Sequence, residues 1–157
     1  MQVCILGDTH FGMRGDSLEF HEHYRKFYET VFFPFLEKHN IKVIYQLGDL
    51  FDRRKFVNYN TLHLVRDYFF NKAKQLGIEV HTLIGNHDIY YKNTLDVNSP
   101  ILLLSEYGNL TAYQKPQTIE IDGIPVDIIP WICDENEEEI MKFIRESKSQ
   151  ILSLIHI

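Results

Sequence analysis

Three short clusters in this sequence bring carboxylates, imidazoles and a side-chain amide close together. They are Asp8-Thr9-His10, Gly48-Asp49 with Asp52-Arg53-Arg54 just beyond it, and Gly85-Asn86-His87-Asp88. Asp8 and His10 are two residues apart, and in an extended segment positions i and i+2 point to the same side. A carboxylate and an imidazole so placed can grip one ion. Asp49 offers further oxygens, and Asn86 an amide carbonyl. Mixed nitrogen and oxygen donors suit a borderline-hard divalent ion such as manganese, iron or zinc. A carboxylate can also bridge two such ions, the arrangement used in two-metal phosphoryl chemistry.

Each cluster alone has a plainer reading. Gly-Asp after a strand is ordinarily a turn, and Asp-Xaa-His arises often by accident. Their placement is what chance seldom supplies, because each follows an apolar run. Residues 2–6, 41–47 and 78–84 read as buried strands. In open α/β sheets the carboxyl ends of strands are where sites are built, so the three clusters are expected to converge.

The intervening elements follow from periodicity. Residues 17–39 predict a helix with an inner stripe of Phe20, Tyr24, Phe27, Val31 and Phe35, kinked or broken near Phe33 by Pro34. Residues 60–76 predict a second helix, capped by Asn60 and stopped at Gly77, with Leu62, Val65, Phe69, Ala73 and Leu76 inward. Residues 100–107 predict a short helix closed by Gly108. Alternation on both sides of Asp122-Gly123 predicts a hairpin over 118–128. Asn136 and Glu139, at capping-box spacing, open a helix running to about Lys148, and residues 150–157 predict a last strand. The order predicts a layered α/β fold in a single domain.

Bulk composition agrees. The 157 residues, 45% hydrophobic, suffice for one packed core. A net charge of −6 argues against a uniformly basic coat but leaves room for a local basic groove. Cys4 and Cys133 sit in apolar runs and read as reduced packing residues rather than a disulfide. No run reaches the roughly 18 apolar residues of a membrane span, and no secretory signal is expected. The expected setting is the cytoplasm, that of a host cell if the chain is phage-encoded.

The three clusters resemble the first three signatures of the calcineurin-like metallophosphoesterases: Asp-Xaa-His, Gly-Asp-Xaa-Xaa-Asp-Arg and Gly-Asn-His-Asp. A closer likeness is to the SbcD-type nucleases of double-strand-break repair, the phage recombination endonuclease subunit among them. Leu6-Gly7-Asp8-Thr9-His10-Phe11-Gly12, the run from Gly48 to Lys55, Tyr91-Lys92-Asn93 and Ile129-Pro130-Trp131 carry that likeness. It covers the chain to about Leu152.

The resemblance implies an α/β metallophosphoesterase β-sandwich flanked by helices, of which residues 1–157 are the N-terminal part. It implies two divalent ions, manganese foremost, with magnesium, iron or zinc as alternatives. Asp8 and His10 would hold the first ion, Asp49 would bridge, and Asn86 would hold the second. His87 would face the scissile phosphate as a charge stabiliser or general acid. Asp52 would orient His87, and Arg53 would contact phosphate. Arg54, Lys55 and Lys92 are candidates for further backbone contacts to DNA. The activity implied is in-line hydrolysis of phosphodiesters in DNA end processing, recombination and repair, with an SbcC-type coiled-coil ATPase as partner and a homodimer as the assembly. The stripes on residues 60–76 and 100–107 are the candidate contacts. A phosphatase or small phosphodiesterase sharing these signatures, or a non-catalytic fragment, remain alternatives.

The family carries two further signatures downstream, a Gly-His and then a Gly-His-Xaa-His, and this sequence contains neither. His156 has no preceding glycine and is not expected to substitute. The expectation is a C-terminally truncated copy with half of its metal shell. Little nuclease activity is therefore predicted for the 157-residue chain. Robust manganese-dependent cleavage by the purified chain, abolished by Asp49→Ala, would overturn this.

Overall fold

The computed structural model describes residues 2–154. The apolar runs ahead of the three clusters become strands β1 (Cys4–Leu6), β2 (Val43–Gln46) and β3 (Glu79–Leu83). They lie side by side and parallel, and a fourth strand, β4 (Leu110–Tyr113), extends the sheet beyond β3. Parallel neighbours require crossover connections. Helices α1 (Met13–Asp16), α2 (Leu18–Phe27) and α3 (Phe33–Lys38) lead from β1 to β2. Helices α4 (Tyr59–Val65) and α5 (Lys72–Gln75) lead to β3, and α6 (Ser99–Leu104) leads to β4. All three clusters therefore emerge at the same edge of one sheet. β4 was not anticipated, because it is short and half-exposed and its sequence shows no clean alternation.

A second sheet packs behind the first. The hairpin forms as expected between β5 (Gln117–Ile121) and β6 (Ile124–Ile129), and Asp122 (φ 54°) and Gly123 (φ 79°) supply the paired positive angles of a tight turn. Helix α7 (Glu137–Glu146) carries the chain to β7 (Ile151–Leu154), parallel to β6. The main core lies between the first sheet and the helices, where Ile44 and Val80 meet Phe11, Tyr28, Phe33, Val65 and Phe69. On the opposite face Leu83 packs with Val126 and Ile128 of the hairpin sheet. An apolar cavity of about 440 Å³ lies between the sheets, lined by Ile5, Tyr45, Leu83 and Ile128 among others. The layers run helices, sheet, sheet. Cys4 and Cys133 are both free thiols. No helix among the described residues is long and apolar enough to cross a membrane.

Three local expectations need correction. The predicted stripe of the first long helix fails in its second half, since Phe27, Val31 and Phe35 are exposed. Tyr28, Phe32, Phe33 and Leu36 are buried instead. A π-helical stretch at Tyr28–Phe32 rotates the inward face, and Pro34 sits in the first turn of α3 without breaking the path. In the second long helix the inner positions are as predicted, but the cap is Asn58, whose side chain accepts the Asn60 N–H at 2.8 Å. At α7, Asn136 makes no side-chain cap. Its amide accepts the Cys133 N–H and donates to the Trp131 carbonyl, so it braces the preceding loop.

One buried histidine ties these helices together. The Nδ1 of His21 pairs with the Tyr68 hydroxyl at 3.2 Å, and its Nε2 pairs with Thr61 Oγ1 at 2.9 Å. Thr61 donates in turn to Asp16 at 2.8 Å. The network is satisfied by a neutral ring that donates from Nε2. Burial pushes the His21 imidazole below its ordinary value of 6.5, against an upward pull from Asp16. The unfolded chain thus gains a proton first as pH falls, and this network's contribution is complete above about pH 6.5 and declines below it. The stability gap between the wild type and His21→Gln, read by urea unfolding, should be smaller at about pH 5.5 than at about pH 7.5. An equal gap at both pH values would contradict the assignment.

Candidate metal centre

The first two clusters are held together by backbone pairing that continues past the strand ends. The N–H groups of His10 and Phe11 donate to the carbonyls of Asp49 and Leu50 at 3.0 and 2.9 Å, and the Asp52 N–H returns to Phe11 at 3.0 Å. Thr9 adds a buried side-chain bond to the Leu50 carbonyl. The segment from Gly7 to His10 is not strand, and His10 adopts a positive φ of 43°. The expected alternation of an extended chain is therefore not what aligns Asp8 with His10. Pairing with the second loop does so, leaving His10 Nε2 3.9 Å from an Asp8 oxygen and 3.8 Å from an Asp49 oxygen.

Asp49 itself follows a turn of unusual geometry. Gly48 and Asp49 both have positive φ, 100° and 50°, and the latter is costly for a residue with a side chain. Gln46 holds the turn in shape. Its fully buried amide donates to the Gly48 carbonyl at 2.6 Å and accepts the Gly48 N–H at 3.0 Å, while Thr82 anchors the amide from β3.

The third cluster is locked on by a residue whose role was not read from the sequence. The carboxylate of Asp88 is buried and accepts the N–H groups of Leu50 and Gly85, each at 2.9 Å, and of Phe51 at 3.3 Å. It joins the second and third loops from beneath. Burial pushes its carboxyl up to about 7, despite the pull of those three donors, and Asp49 adds to the rise. The one available signal was a third polar residue immediately after Asn86-His87, where the other loops already supplied enough donors for an ion.

These constraints bring together the expected ligands. Oxygens of Asp8 and Asp49 and a nitrogen of His10 lie within 4.8 Å of one another, a group able to hold a metal ion. Asp49 is buried, accepts the His87 N–H at 2.8 Å, and also faces Asn86. The nearest atom of the Asn86 amide lies 3.1 and 3.2 Å from the two Asp49 oxygens. Turned one way, the amide donates to the carboxylate. His10 Nδ1 is buried and has no hydrogen-bond partner among the described residues, although Asp52 Oδ1 is 3.4 Å away. The donor set of two carboxylates, an imidazole and an amide fits divalent cations of the manganese, iron and zinc type.

The remaining candidates sit around this centre. The His87 ring is edge-on to His10, with centroids 4.7 Å apart. Its Nδ1 is 2.5 Å from the backbone carbonyl of Asp52, so the contact with Asp52 is made by the main chain and not by the carboxylate. Arg53 turns toward Asp16, 3.4 Å away, and stacks over Phe56. Arg54 donates from Nε to the Asn86 carbonyl at 2.7 Å. Lys55 and Lys92 line a groove with Arg53 and Arg54. His156 lies outside the described residues.

Comparison with known proteins agrees with this geometry. Residues 1–148 match the calcineurin-like phosphoesterase family, and the chain belongs to it. It is 35% identical over 149 residues to exonuclease subunit 1 of Enterobacteria phage T4, covering 95% of this chain and 43% of that protein. It is 26% identical to the DNA double-strand break repair protein Mre11 of Sulfurisphaera tokodaii, covering 99% of this chain and 40% of the relative. The chain thus spans about two fifths of the length of these curated relatives. A crystal structure of the Pseudomonas putida nuclease MPE shares the fold, with a TM-score of 0.50 and 18% identity over 79% of this chain and 52% of that one.

If Asp88 is what joins the loops, Asp88→Asn should be costly although nearly isosteric. The new amide group would face a backbone N–H, and one unsatisfied buried donor costs about 1–3 kcal/mol. Urea unfolding should show a loss of that size. An unchanged midpoint and slope would contradict the role.

Proposed function

We propose that this chain carries the metal-binding face of a DNA nuclease, hydrolysing phosphodiester bonds in the processing of DNA ends. The observation that carries the reading is the meeting of Asp8, His10 and Asp49 in one group able to hold an ion, with the Asn86 amide 3.1 and 3.2 Å from the two Asp49 oxygens. Likeness to an exonuclease subunit and to a double-strand break repair protein supports DNA as the substrate. The resemblance of the sequence motifs to SbcD-type nucleases supports a further reading, in which the whole protein would act as a subunit beside a coiled-coil ATPase of the SbcC type, and as a homodimer.

Asp8 and His10 would hold one ion, Asn86 the other, and Asp49 would serve as a ligand to both. Two divalent ions, with manganese favoured, would supply Lewis acidity toward water and toward the phosphate oxygens. The work of the protein is positional. His87, held through Nδ1 by the Asp52 carbonyl, keeps Nε2 free to protonate the leaving oxygen or to offset its charge. Asp52 thereby sets the ring orientation. Arg53 would reach phosphate only by leaving its contact with Asp16. Arg54, Lys55 and Lys92 would meet the DNA backbone.

Calorimetric titration with manganese should show saturable uptake by the wild type and none by Asp49→Asn. His87→Gln should keep the uptake, and in a chain extended to the length of its relatives it should lower cleavage of plasmid DNA by about 100-fold or more, the scale of a lost general acid. Uptake unaffected by Asp49→Asn would refute the centre. Hydrolysis of a chromogenic phosphate monoester without cleavage of DNA would favour a phosphatase.

A further inference from the structure

Beside the metal centre runs a groove of about 770 Å³ whose chemistry is more specific than a basic patch. Its cationic side chains are Arg53, Arg54, Lys55 and Lys92, and no acidic residue is among those that line it. That is a local excess in a chain of net charge −6. Interleaved with the cations are three aromatic rings, Phe56, Tyr90 and Tyr91. These rings are open to solvent, at 58%, 41% and 53% exposure, while many other aromatics of the chain are buried in the helix-side core.

The rings are held in an arranged set. The Arg53 guanidinium lies 4.9 Å from the Phe56 centroid, and the Lys55 ammonium lies 5.6 Å from that of Tyr90. Tyr90 and Tyr91 meet edge to face at 4.8 Å. The groove is also tied to the site, since Arg54 donates to the carbonyl of Asn86. The groove and the third loop are therefore contiguous.

We propose that this groove binds an unpaired DNA strand, with bases stacked on Phe56 and Tyr91 and phosphates met by the cations. The inference rests on the nuclease reading and narrows it from DNA to single-stranded DNA. A duplex shows phosphates to a protein but keeps its base faces stacked inside, so three exposed rings would have nothing to hold. An unpaired strand offers a π-face at every nucleotide, and rings interleaved with cations are the means by which proteins grip such strands. The groove therefore selects a frayed end, an overhang or a loop, and presents that strand to the metal centre.

The test is fluorescence anisotropy in the presence of a chelator, with the 157-residue chain and three labelled probes. The probes are a short oligothymidylate, an abasic oligomer of the same length and charge, and a blunt duplex. Oligothymidylate should bind about 10-fold tighter than the abasic strand, within the range reported for base–aromatic stacking, and tighter than the duplex. Phe56→Ala and Tyr91→Ala should each lower oligothymidylate binding toward the abasic level and leave abasic binding unchanged. Tyr91→Phe, which keeps the ring, should bind as the wild type does. Equal affinity for the thymidylate and abasic strands, tighter binding to the duplex, or indifference to both alanine variants would overturn the proposal. Because no metal is present, failure here leaves manganese uptake at Asp49 untouched. Failure of that uptake likewise leaves this binding measurable.

Discussion

A single buried carboxylate holds this site together. Asp88 accepts N–H groups from its own loop and from the loop after β2, without access to water. Backbone donors left unpaired in such a place would be costly, and so would a carboxylate without donors. Each therefore requires the other. The pairing fixes the spacing of two loops that have no regular structure of their own.

The other constraints build on that joint. Once the second loop is held, its backbone pairs with the first loop through Asp49, Leu50 and Phe11, which brings Asp8 and His10 into range. Asp49 is forced into a left-handed conformation that Gln46 sustains from the sheet side. The cost of that angle is local, and the benefit is a buried carboxylate within reach of Asp8, His10 and Asn86. The polar chain from Tyr68 through His21 and Thr61 to Asp16 ends at Arg53. The helix layer thereby sets where the first arginine of the groove rests.

Much of this was legible in the residues themselves. The three apolar runs, the hairpin at Asp122-Gly123 and the convergence of the clusters follow from pattern and spacing, because buried strands and tight turns have strong local requirements. The failures have a common cause. The exposed side of the first long helix was misjudged because a π-helical stretch changes the phase of the inward face, and phase errors do not show in spacing. Strand β4 went unseen because its place is set by the edge of β3 and not by its own sequence. Asp88, Gln46 and the carbonyl of Asp52 were missed as organising groups because hydrogen bonds to backbone leave no mark on residue type. The likeness to a nuclease family named candidate ligands but not what holds them in place.

The central claim is that three strand ends form one divalent metal centre about Asp49. Anomalous diffraction from crystals soaked in manganese tests it most directly. A peak is expected beside the Asp49 carboxylate, with Asp8 and His10 as neighbours, and the Asn86 carbonyl oxygen turned toward a second position. Full manganese occupancy elsewhere, with Asp49 in contact only with protein atoms, would contradict it.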